Sequence, residues 1–128
     1  MKFLFALPLA GAIFSALTLA PFPAAHAGPT GPGAQAFAAC KACHTLEAGG
    51  KSVMGPNLNG LMGRQAGSVA GFNYSPALKA SKIRWDEKSL DEYLAAPTRK
   101  VPGTRMVVKV ADPARRAALI AYLKAETK

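Results

Sequence analysis

Cys40-Lys41-Ala42-Cys43-His44 is the stretch on which the reading of this chain turns. It holds both cysteines of the sequence, three positions apart, with a histidine directly after the second. Cys-x-x-Cys-His is the known signature of covalent haem attachment. Two thiols on one helical turn can add across the two vinyl groups of a porphyrin, and the next residue then offers an imidazole nitrogen to the iron. Three other readings compete. Structural zinc needs four ligands; the chain has two Cys and two His, and His26 falls in a segment expected to be removed. A thioredoxin-like Cys-x-x-Cys opens a helix in a strand–helix–strand context, whereas residues 34–39 are small and helix-prone. A plain structural disulfide is the third. Haem is the reading adopted.

Upstream of the motif, Lys2 and the apolar run 3–20 are followed by Ala25-His26-Ala27. A charged start, an apolar centre and an Ala-x-Ala site describe a secretory signal peptide. We therefore divide the chain into a cleaved leader over 1–27 and one domain over 28–128, which is 128 − 27 = 101 residues. An uncleaved anchor is the alternative, but Pro8, Pro21 and Pro23 interrupt or bound the apolar run. Export points to a bacterial periplasm. The formal charge is +9, or +8 once Lys2 is removed. A basic exported protein suits an acidic protein partner, anionic lipid or simple solubility; nucleic acid is not expected at that address. A domain this small buries only about two-thirds of its unfolded surface, so an apolar cofactor face is expected to serve as part of the core.

Downstream, the pattern is short helices separated by loops. A helix from about Ala34 carries Phe37 into Cys40, and Gly33 and Phe37, four apart, share a face. Gly49, Gly50, Gly55, Pro56, Gly60 and Gly63 forbid long elements and describe a wrapped loop. Residues 67–81 read as irregular. Asp86 is a helix N-cap after Trp85; Leu90, Tyr93 and Leu94 fall at i, i+3 and i+4, and Pro97 stops that helix. Residues 101–106 form a second loop. Asp112 and Pro113 open the last helix, whose inner stripe is Leu119, Tyr122 and Leu123. No repeat or convincing strand pair is visible, and residues 107–110 are too few to found a sheet. Taken alone, Tyr74, Trp85 and Tyr93 read as ordinary core aromatics and Arg64 as a solvated charge.

In order and at matching spacing, several pieces resemble class I cytochromes c, close to the mitochondrial type and its bacterial photosynthetic and respiratory relatives. They are the attachment motif, Gly55-Pro56-Asn57-Leu58, Gly63-Arg64, Gly71-Phe72-Asn73-Tyr74, Trp85, Leu90-x-x-Tyr93-Leu94-x-x-Pro97, Pro102-Gly103-Thr104-Arg105-Met106 and Leu119-Ile120-Ala121-Tyr122-Leu123. The resemblance implies an all-α fold of short helices and loops wrapped around one covalently bound haem c. It implies thioether bonds at Cys40 and Cys43 and axial iron ligands at His44 and Met106. The Pro56 carbonyl would fix the His44 ring. Arg64, Tyr74 and Trp85 would meet the haem propionates, and Tyr93 would sit near the Met106 sulfur. Gly33 and Phe37 would pack on Leu119 and Tyr122, where the first and last helices cross. Met54 and Met62 are rivals to Met106. The stiff Pro102-Gly103 turn before Met106, and its position 106 − 44 = 62 residues after His44, favour it.

Some positions depart from the mitochondrial pattern. Leu78 stands where a polar side chain is usual, Lys100 replaces an aromatic, and Ala39, Val53 and Thr98 are neutral where partner-facing lysines are common. Lys41, Lys51, Arg99, Arg105 and Lys109 remain as candidates for a basic docking ring, with Arg115 and Arg116 as charges remote from it. The expected function is electron transfer between redox complexes by a non-enzymatic, monomeric carrier with acidic partners and no stable membrane insertion. A peroxidase or gas sensor would need an open iron position, and a module of a membrane complex is a further class.

Overall fold

A computed structural model describes residues 30–128; the leader expected over 1–27 lies outside the described residues. The elements in chain order are α1 (Pro32–Phe37), α2 (Pro76–Ala80), α3 (Glu87–Ala95), α4 (Pro97–Lys100) and α5 (Pro113–Glu126). Among the described residues the only β pairing is an isolated antiparallel bridge between Gln65 and Arg84.

Cap chemistry explains where the two longer helices start. Asp112 accepts the Arg115 amide at 2.6 Å, and Pro113 fills the first helical position, where its missing N–H costs nothing. Asp86 and Ser89 cap α3 reciprocally: the Ser89 amide donates to the Asp86 carboxylate at 2.7 Å, and the Asp86 amide donates to the Ser89 hydroxyl at 2.9 Å. Leu90, Tyr93 and Leu94 form the buried stripe of α3 as their spacing predicts.

Three expectations need correction. Helix α1 begins at Pro32, two residues early, and ends at Phe37; from there the chain descends through single turns, with Cys40 N–H to Phe37 O at 2.8 Å and His44 N–H to Cys40 O at 2.9 Å. Residues 67–81 are not wholly irregular, because Ser75 accepts the Leu78 amide at 3.2 Å and opens α2 at Pro76. Pro97 stops α3 and also starts α4, a single turn. Helices of four and five residues are too short to display an apolar period.

The core forms where α1 crosses α5. A Cβ on Gly33 would lie 2.5 Å from both the Ala118 carbonyl oxygen and the Tyr122 Cβ, so only glycine permits this approach. Phe37 stacks on Tyr122 with ring centroids 5.6 Å apart, and Leu119 is fully buried in the same cluster. Removing such a leucine side chain to alanine typically costs about 2–5 kcal/mol. The wrapped loop is tied to both ends of this core. Gly60 N–H donates to Thr127 O at 2.7 Å, while Gly63 N–H to Trp85 O at 2.7 Å and Trp85 N–H to Arg64 O at 2.9 Å join it to the segment before α3.

Candidate functional site

All nine residues singled out from the sequence line one cavity of about 380 Å³: Cys40, Cys43, His44, Pro56, Arg64, Tyr74, Trp85, Tyr93 and Met106. The other walls are mainly apolar and include Leu58, Leu61, Phe72, Leu78 and Leu119.

The histidine is held on two sides. Its Nδ1 lies 2.8 Å from the Pro56 carbonyl, which can only accept, so Nδ1 carries the proton and Nε2 keeps its lone pair. The ring lies against Gly55, where a Cβ would come within 2.7 Å of Nδ1 and 2.8 Å of Nε2. Burial lowers the His44 pKa; the bond to Pro56 opposes this and the Arg64 charge adds to it. The neutral ring is therefore favoured, which is the form that ligates a metal. In the sequence only the Gly55-Pro56 step hints at this contact.

Both cysteines are free thiols and half-buried. Burial pushes the Cys40 thiol up, with Arg115 pulling it down and Cys43 adding to the rise. A redox-active Cys-x-x-Cys needs the opposite shift, towards thiolate.

The methionine comes from a strap between α4 and α5. Tyr93 was expected near the Met106 sulfur; the structure joins its hydroxyl to the Thr104 hydroxyl at 2.7 Å, a buried contact two residues before Met106. Thr104 lines the cavity and was not singled out from the sequence. Of the rivals, Met62 packs against the core, whereas Met54 lines the cavity from the His44 side of the wrapped loop and is 78% exposed.

Arg64, Tyr74 and Trp85, the residues expected at the propionates, each contact the protein as well. Arg64 donates to Asn59 O at 2.7 Å and Asn57 O at 3.0 Å, which fixes the loop around Pro56 and occupies two of its five N–H groups. The Tyr74 hydroxyl accepts the Val69 amide at 3.2 Å and keeps its own hydrogen free to donate. Trp85 packs on Tyr93 at 5.2 Å between ring centroids. Among the basic candidates, Lys41, Lys51, Arg99, Arg105 and Lys109 are all exposed, though Arg105 donates to Asn73 O at 2.8 Å. Lys100 is paired with Glu92. Of the two charges on α5 expected to be remote from these, Arg115 is exposed and Arg116 is buried and paired with Asp91.

Two thiols, one imidazole with a free Nε2 and one thioether around an apolar cavity form a donor set suited to a covalently held haem iron. The residues present fit that group, in an all-α frame. Residues 31–126 match the cytochrome c family model. Cytochrome c of Guizotia abyssinica is 46% identical over 110 residues, which cover 84% of this chain and 99% of that protein. Cytochrome c2 iso-2 of Magnetospirillum fulvum is 50% identical over 90 residues, 70% of this chain and 93% of the relative. Among solved structures, cytochrome cH from Methylobacterium extorquens matches with a TM-score of 0.68 at 46% identity, covering 73% of this chain and 95% of that one. The chain belongs to the cytochrome c family, class I. Members of that family are electron carriers with covalently attached haem c, and Cys40 and Cys43 fit its attachment motif.

Proposed function

We propose that this protein is a periplasmic single-haem electron carrier linking redox complexes of a respiratory or photosynthetic chain. The observation that carries the reading is that His44 and Met106 line the same apolar cavity as both thiols. Cys40 and Cys43 form the two thioether bonds, and His44 and Met106 are the axial ligands. With both axial positions filled there is no iron site for peroxide or a gas, which disfavours an enzyme or sensor. When bound, the group supplies a one-electron Fe(III)/Fe(II) couple; a thioether ligand raises its potential. Pro56 and Gly55 hold the imidazole, and the apolar wall keeps water from the iron. Arg64, Tyr74 and Trp85 form the wall nearest the propionates.

Residues 1–27 are a leader cleaved after Ala27, and the mature chain is a monomer. Its partners carry acidic docking surfaces. In support, the exposed apolar residues Met54, Val107 and Val108 line the cavity, and Val53 stands beside Met54. Lys51 flanks one end of this patch in sequence, and Arg105 and Lys109 flank the other. A haem-stained denaturing gel tests attachment: haem stays with the chain, and its loss into acidified organic solvent would refute the thioether bonds. Mass spectrometry of the native protein tests the address, with Gly28 expected as the first residue; an intact Met1 in a membrane fraction would favour an anchored subunit.

A further inference from the structure

The cavity wall that carries Met106 is a strap without regular structure between α4 and α5, and the way it is tied down is specific to a few side chains. Its leading end is held by Thr104, whose amide donates to Val101 O at 3.0 Å and whose hydroxyl meets Tyr93. Its trailing end is held at Val110, four residues beyond Met106. The Val110 amide donates to Leu94 O of α3 at 2.8 Å. The Val110 carbonyl accepts from Arg116 Nη1 at 2.9 Å, and the same nitrogen reaches Ala111 O at 3.1 Å. Val107, Val108 and Lys109 between these anchors are exposed. Arg116 is only 9% exposed, and its guanidinium is oriented by Asp91 of α3, Nε to Oδ1 at 2.6 Å. An arginine aimed this way joins three elements at one point: α3, α5 and the end of the strap.

We propose that Arg116 is a positioning residue for the iron ligand Met106: it clamps the trailing end of the strap so that the thioether stays at the cavity wall. This rests on the assignment of Met106 as an axial ligand. The physical argument is one of tethering. A ligand on an irregular segment is held by its own bond and by the anchors on either side, and each lost anchor returns conformational freedom that competes with ligation. Hydrogen bonds from a charged donor are the stronger kind, and the fixed fork of arginine lets one side chain serve Asp91 and two carbonyls together. A lysine keeps the charge but not the fork.

The test uses ferric holoprotein and free imidazole, which binds the iron only by displacing Met106. Arg116→Met, similar in length and uncharged, should bind imidazole about tenfold more tightly than wild type, equivalent to about 1.4 kcal/mol. Arg116→Lys should recover part of the difference. Asp91→Asn alters a half-exposed side chain, so it tests the same clamp without removing a buried group; it should shift imidazole affinity in the same direction by a smaller factor. Ile120→Val, a core change on the same helix, should lower global stability while leaving imidazole affinity within about twofold, since it creates a small void and removes no hydrogen-bonding group. If Ile120→Val tightens imidazole binding as much as Arg116→Met at equal loss of stability, Arg116 is merely structural and the proposal falls. It also falls if Arg116→Met and Asp91→Asn both leave the affinity unchanged. Met106→Ala sets the ceiling: if it binds imidazole no better than wild type, Met106 is not the displaced ligand and the ligand assignment fails with the proposal.

Discussion

Replacing Gly55 by alanine drives a methyl group into the His44 imidazole. The new Cβ would stand 2.7 Å from Nδ1 and 2.8 Å from Nε2, well inside van der Waals contact. The backbone cannot retreat easily, because Gly55 N–H donates to Cys43 O at 2.8 Å and Gly55 O accepts from Val53 N–H at 3.1 Å. The ring cannot retreat without losing its bond to Pro56 O. Overpacking of this kind costs about 1–3 kcal/mol, and loss of the ring's hydrogen bond adds about 1 kcal/mol. We expect a total near 2–4 kcal/mol, a large part of the roughly 5–15 kcal/mol that holds a small domain together. Guanidinium unfolding of the holoprotein measures it, and the ferric absorption spectrum reports whether the iron ligands have changed. Gly49→Ala is the companion. Its φ is 73° with no atom near the added Cβ, so it should cost about 1–2 kcal/mol through backbone strain alone and leave the spectrum untouched. If the two variants lose the same stability and neither alters the iron spectrum, the reasoning about Gly55 is refuted.

Gly33→Ala should weaken the α1–α5 crossing by about 1–3 kcal/mol without changing the spectrum of whatever holoprotein forms; an unchanged unfolding midpoint would argue against the close approach. Tyr93→Phe leaves the buried Thr104 hydroxyl without its partner and should cost about 1–3 kcal/mol, while the double change Tyr93→Phe/Thr104→Val should recover much of that. A double-mutant cycle by denaturation reads the difference, and strict additivity would contradict the pairing. For docking, the rate of electron transfer to an acidic redox partner should fall as salt rises, since the Debye length shrinks from about 30 Å at 0.01 M to about 10 Å at 0.1 M. Arg99→Glu should slow that reaction more than Lys124→Glu, a reversal of equal charge where α5 pairs with Glu87 of α3. Equal effects in stopped-flow would mean that net charge alone matters.

What could be read from the sequence was the chemistry that is local along the chain. The attachment motif needs only five residues, and Asp112-Pro113 and Asp86 declare helix starts by cap chemistry. The α3 stripe is visible because nine residues carry a full period. Helices α2 and α4 were not legible at five and four residues respectively, although Ser75-Pro76 has the same cap logic as Asp112-Pro113. Arg116 shows the deeper limit. Its place on α5, three residues before Leu119 and seven before Leu123, puts it on the buried stripe, but no spacing names its partners; only the fold brings Asp91 and the Val110 carbonyl to it. Arg64 likewise has its donors turned to Asn57 and Asn59 by a loop whose path no spacing rule describes. Gly55 and Gly63 look alike in sequence, yet a side chain at the first would strike His44 and at the second would meet open space.

The central claim is ligation of one iron by His44 and Met106, and the long-wavelength absorption of the ferric protein tests it most directly. Methionine-ligated ferric haem has a weak charge-transfer band at the red end of the visible spectrum. The account predicts that this band is present in the wild type, is abolished in Met106→Ala, and persists in Met54→Ala and Met62→Ala. A band that survives Met106→Ala, or that disappears with Met54 or Met62 instead, would contradict it.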